Sequence, residues 1–95
     1  MYNNILFQPR YREHLKMLIR AQGLPALPPK GSSAVEIKTR HLNIETGNYP
    51  SIRFHSDVAE WISESGLDIR IGGTPDCFVA YGDEDAITLF TLKWL

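Results

Sequence analysis

The sequence predicts a single α+β domain, and three observations carry that expectation. Apolar residues recur at helical spacing in three separate stretches. Three further stretches alternate apolar and polar residues with the period of a half-buried strand, and a fourth is almost continuously apolar. Clusters of Gly, Pro, Asn and Asp separate these stretches. Ninety-five residues make one compact domain spanning 1–95, because a second core would leave each below the size that usually folds alone. A composition 43% hydrophobic and 22% charged lies in the globular range.

The first helix is expected from Pro9 to Gln22. Proline suits the first turn, glycine suits the position past the end, and Gly23 follows directly. Tyr11, Leu15, Leu18 and Gln22, with Ile19 beside them, make the expected buried stripe. Arg12, Lys16 and Arg20 recur every four residues on another face, with Glu13 placed to pair with Lys16. A stiff, proline-rich connector covers residues 23–33. Val35, Ile37 and Thr39 then alternate with Glu36, Lys38 and Arg40, as in a strand. Thr46-Gly47-Asn48 and Pro50 mark a turn, and residues 51–55 alternate again, so a hairpin is expected across that turn.

Ser56 is the expected N-cap of a second helix, with Val58, Trp61 and Ile62 on its apolar face and Gly66 at its end. Residues 67–71 and 77–81 read as two strands about a turn at Gly72-Gly73-Thr74-Pro75. The second of them, Cys77-Phe78-Val79-Ala80-Tyr81, is apolar enough for a central strand. The ending, Asp83 to Leu95, admits two readings. A strand would crowd Ile87, Leu89 and Leu95 onto the face opposite Thr88, Phe90, Leu92 and Trp94. A helix instead turns the acids into its N-terminal turn, where carboxylates satisfy free amides and the dipole, and it is preferred. The expected order is therefore α-β-β-α-β-β-α, with an antiparallel or mixed four-stranded sheet and helices on one face. Its last five elements resemble the split βαβ arrangement of ferredoxin-like folds without the final strand.

One cysteine, Cys77, excludes an internal disulfide and points to a reducing compartment. Ile5-Leu6-Phe7 is too short for the core of a secretory leader, and no apolar run approaches the roughly 20 residues of a membrane span. A cytoplasmic location is expected. The net charge of −1 conceals a division of charge. Residues 1–55 carry eight basic side chains against three acids, and residues 56–95 carry two against eight. Such asymmetry favours contact with a macromolecule, unless the two halves fold against each other and neutralise.

Chemistry has little support. His14, His41 and His55 lack the spacing of a metal site, Cys77 is expected to be a buried inert thiol, and the glycines of the "IGGTPD" turn lack a phosphate-binding pattern. No cofactor, metal or catalytic residue is expected. The expected contact residues are Arg12, Lys16 and Arg20 on a basic face and Glu60, Glu64 and Asp68 on an acidic one. The alternative is a nucleic-acid face in which Lys38, Arg40 and Arg53 act together with the basic stripe Arg12, Lys16 and Arg20.

Asp83, Ala86, Phe90, Leu92 and Trp94 form the pattern D-x-x-A-x-x-x-F-x-L-x-W. It resembles the close of many small tailed-bacteriophage proteins, over about a fifth of the chain. The resemblance implies a non-enzymatic, phage-encoded modulator or inhibitor of a host protein, acting in the host cytoplasm. A small nucleic-acid-binding protein is the alternative, and self-association through the apolar final helix is a further expectation.

Overall fold

A computed structural model describes residues 9–95, and the reading of Ile5-Leu6-Phe7 lies outside them. The α+β class is as expected, with five strands in two antiparallel sheets among the described residues. Helix α1 spans Pro9–Gln22 and closes on Gly23, where the Leu24 amide donates back to Ile19 O. Residues 23–32 then lead to β1 (Ser33–Glu36). A single 3-10 turn, Thr39–His41, separates β1 from β2 (Leu42–Glu45), which forms a hairpin with β3 (Ser51–Phe54). Helix α2 (Ser56–Ser65), strands β4 (Arg70–Thr74) and β5 (Cys77–Gly82), and helix α3 (Glu84–Trp94) complete the order.

One sheet has the order β1-β5-β4, so the apolar run 77–82 is its central strand. Val35, Ala80 and Ile71 lie directly opposite one another across its three strands and place their side chains on the core face. The other sheet is the hairpin, with Leu42 opposite Phe54 and Ile44 opposite Ile52. The expected first strand over 35–40 therefore divides. Its beginning pairs with β5, and the hairpin is made by residues 42–45. The divider is His41, whose Nδ1 accepts from the Lys38 amide at 3.1 Å while its own amide donates to Lys38 O at 2.9 Å. Because β3 does not join the β4–β5 sheet, the split βαβ arrangement is not formed.

The β4–β5 turn is displaced from its expected place. Gly72, Gly73 and Thr74 belong to β4, and Pro75-Asp76 makes a two-residue turn. Gly73 has φ +107°, and a Cβ there would stand 2.2 Å from Cys77 O, so the glycines serve close packing inside the strand.

The core joins both sheets. α1 contributes Leu15, Leu18 and Ile19, α2 contributes Val58, and α3 contributes Ala86, Ile87 and Phe90. Phe90 is 0% exposed and stands between Phe54 of β3 at 6.1 Å and Trp61 of α2 at 6.3 Å, while Trp61 meets Trp94 edge-on. Gln22 departs from its expected place in the buried stripe. It is exposed, and its amide donates to Pro50 O because the polar group finds a partner at the hairpin and none in the core.

The helix reading of the ending holds. Asp83 is the N-cap, its Oδ1 accepting from the Ala86 amide at 2.8 Å, with Glu84 and Asp85 in the first turn. Thr88 and Thr91 bond back to the carbonyls of Glu84 and Ile87. For α2 the N-cap is His55, not Ser56: its Nδ1 accepts from the Asp57 amide, which leaves Ser56 as the first helical residue. No helix among the described residues is long and apolar enough to cross a membrane.

Candidate functional site

Two of the surface features that can receive a partner meet around Arg70 and Tyr81. Arg70 opens β4, and Tyr81 is its direct neighbour on β5. A Cβ at Gly82 would stand 2.6 Å from Asp68 O, so glycine lets the chain entering β4 cross the end of β5. That crossing sets Asp68 and Arg70 beside Tyr81. Two open grooves meet there. One, of about 380 Å³, has mixed charge, with Lys30, Asp68, Arg70 and Asp83 in its lining together with Ser32. The other, of about 400 Å³, runs between β3 and β4 under the end of α1. Arg53, Arg70 and Gln22 supply its polar groups, and Leu24, Phe54, Ile69 and Ile71 its apolar ones. Among the described residues, its only charged side chains are the two arginines.

A third groove, of about 280 Å³, lies between Ser33 of β1 and the Ile87, Thr88, Thr91 and Leu92 positions of α3. Beside it, Leu89, Leu92 and Leu95 are 48%, 79% and 52% exposed. Three residues apart, they form a row on the solvent side of α3, opposite the buried Ala86, Ile87 and Phe90. The helix thus has apolar residues on both sides and only one side for the core to cover.

The expected basic face is partly engaged within the molecule. Arg12 donates to Asp76 at 2.8 Å, a pair that ties the basic half of the chain to the acidic half, and Lys16 pairs with Glu13 at 3.1 Å as anticipated. Arg20 is exposed and has no ion pair among the described residues. On the expected acidic face, Asp68 holds Arg70 Nε at 3.2 Å, whereas Glu60 and Glu64 lie exposed one turn apart on α2. Lys38 pairs with Glu36, and Arg40 and Arg53 have no ion pair among the described residues. Arg53 is set apart from Lys38 and Arg40 by its place in the β3–β4 groove, where its neighbour is Arg70. In the sequence Arg70 belongs to the acidic half, 17 positions from Arg53. Their meeting depends on how the hairpin packs beside β4, for which no local pattern exists.

Cys77 corrects an expectation. It is exposed, because it follows the turn at the first position of β5, and its inward neighbours are Phe78 and Ala80. Its Sγ–H donates to Glu36 Oε2 at 3.2 Å. That bond, with burial and the carboxylate's charge, raises the pKa of the thiol, while the Cys77 and Lys38 hydrogen bonds lower that of Glu36. His41 is buried, at 4% exposed. Burial and the charge of Arg40 hold its imidazole below its ordinary value, opposed by backbone hydrogen bonds at Trp94 and Lys38. His14 and His55 are both exposed, on α1 and before α2.

The C-terminal pattern takes on physical roles in the fold. Asp83 caps α3, Ala86 receives the cap, Phe90 fills the core, Trp94 packs against Trp61, and Leu92 faces out. The cap is Asp83, and Asp85 lies in the first turn of the helix. Four of the five positions thus answer to capping and packing, which any helix at this place would require. The chain matches no protein-family model, no curated protein and no solved structure.

Proposed function

We propose that this chain is a non-enzymatic binding protein that docks on a protein partner and modulates it, in the manner expected of a phage-encoded modulator of a host protein. The observation that carries the reading is the leucine row of α3. Leu89, Leu92 and Leu95 expose apolar surface on one line, next to the groove between α3 and β1. Exposed apolar surface gathered in one place marks a contact site more often than leucines scattered singly. The charged flanks of α1 and α2, with Arg20, Glu60 and Glu64, would add orientation and association rate more than affinity.

The test is an affinity pulldown from bacterial lysate, split into nuclease-treated and untreated halves, with wild type compared against Leu92→Glu. A stoichiometric protein that survives nuclease and is lost with Leu92→Glu supports the reading. A contact centred on this row should weaken at least about tenfold when a carboxylate replaces its most exposed leucine. Recovery that depends on intact nucleic acid would overturn it in favour of nucleic-acid binding, for which Arg20, Arg40 and Arg53 have no ion pair among the described residues. The same leucine row also favours self-association, which light scattering of the purified protein detects directly.

A further inference from the structure

We propose that the groove between β3 and β4 is a second binding site, one that takes an extended acidic peptide segment of a partner. Two independent features point to this chemistry. The first is charge. Among the described residues, Arg53 and Arg70 are the charged side chains of the groove, and no acid shares its lining. Asp68, which holds Arg70 Nε at 3.2 Å, lines the neighbouring groove, so the two Nη groups of Arg70 remain for a ligand. Guanidinium groups match carboxylates through paired N–H donors, and they are less strongly hydrated than an ammonium.

The second feature is the strand edge. β4 is an outer strand of its sheet. The Gly73 amide donates to Pro25 O at 2.8 Å, away from β5, so the connector already pairs with part of this edge. Main-chain groups alternate sides along an antiparallel pair, so Ile71, two residues earlier, directs its amide and carbonyl to the same side, into the groove. An extended segment laid there continues what Pro25 begins. It pairs with Ile71, sets alternate side chains on Leu24 and Phe54, and brings its carboxylates to Arg53 and Arg70. A volume of about 400 Å³ is within the usual range for a pocket that holds a few side chains.

The proposal deepens the protein-binding reading but does not require the partner to be known. Fluorescence polarisation of the purified protein would use three labelled probes at low and physiological salt. These are an eight-residue peptide alternating Glu and Phe, the same peptide with Gln for Glu, and an oligothymidine of equal length. The expected result is binding of the acidic peptide at least tenfold tighter than its Gln counterpart. Arg53→Gln with Arg70→Gln should abolish that preference, and Lys16→Gln with Arg20→Gln should leave it intact. Circular dichroism of the variants establishes that they fold, and single variants at Arg53 or Arg70 replace the double one if it does not. Equal binding of the two peptides, or a preference that survives loss of both arginines, overturns the proposal. Tighter binding of the oligothymidine through the same arginines also overturns it and assigns the groove to nucleic acid. A negative result here alongside a partner captured through Leu92 removes this site alone. A positive result with no such partner removes only the α3 reading.

Discussion

Phe90 joins α3, which packs against β1 and β5, to the hairpin and to α2, and truncating it tests the architecture directly. The ring is fully buried, and it contacts Phe54 from the hairpin and Trp61 from α2 at centroid distances of 6.1 and 6.3 Å. Phenylalanine-to-alanine changes at closed core sites cost about 3–5 kcal/mol. Two aromatic pairs lost together add roughly 0.5–1.5 kcal/mol each beyond area. The upper half of the range, about 4–5 kcal/mol, is therefore expected for Phe90→Ala. Against a total stability on the order of 5–10 kcal/mol, this leaves the variant close to unfolding at 37 °C. At about 4–8 °C per kcal/mol for a domain of this size, the melting temperature should drop by roughly 15–40 °C. Urea unfolding followed by tryptophan fluorescence measures the change, because Trp61 itself lies against the ring. Leu92→Ala, on the exposed side of the same helix, is the control and should stay within about 0.5 kcal/mol. A loss below about 1 kcal/mol for Phe90→Ala, with an unchanged urea slope, would refute the packing of α3 between the sheets.

Asp83→Ala should cost about 1 kcal/mol through loss of the cap on the Ala86 amide, while Asp85→Ala should cost half of that or less, as read by the same urea midpoints. Equal losses would remove the distinction between the two acids. His41 makes stability depend on pH. Its folded-state pKa lies below the unfolded value of about 6.5, so the unfolded chain binds the proton first. Its contribution is complete above that value and is lost as pH falls through the folded one, so the urea midpoint should fall between pH 7 and pH 5. The fall should be shallower in His41→Gln than in wild type. Cys77 should react slowly with iodoacetamide at pH 8 despite its exposure, because the Glu36 carboxylate favours the protonated thiol. Glu36→Gln should speed the reaction, and an unchanged rate would show that the contact does not govern the thiol.

Periodicity and punctuation alone determined the local elements of this protein. Pro9 and Gly23 bound α1, Gly66 ends α2, and the spacing of Ala86, Ile87, Phe90 and Trp94 after three acids makes α3 a helix. Such signals are local, arising from backbone conformation and from amides within one turn of a side chain, and the sequence displays them in order. The near-continuous apolar run of β5 was likewise legible as a central strand, since a strand covered on both edges and packed below the helices has few positions facing water. Tertiary structure alone decided the partition into two sheets. It turns on His41 accepting the Lys38 amide and on the pairing of residues 33–36 with a strand more than forty positions away. It also decided which charges remain available to a partner. Arg12 is drawn to Asp76 across 64 residues, Asp68 to Arg70, and Cys77 to Glu36, while Arg53 and Arg70 come to share one groove. An ion pair forms between whichever side chains packing brings within reach, and packing is a property of the whole chain. The α1 stripe could be seen in the sequence for that reason, and the arginine groove between β3 and β4 could not.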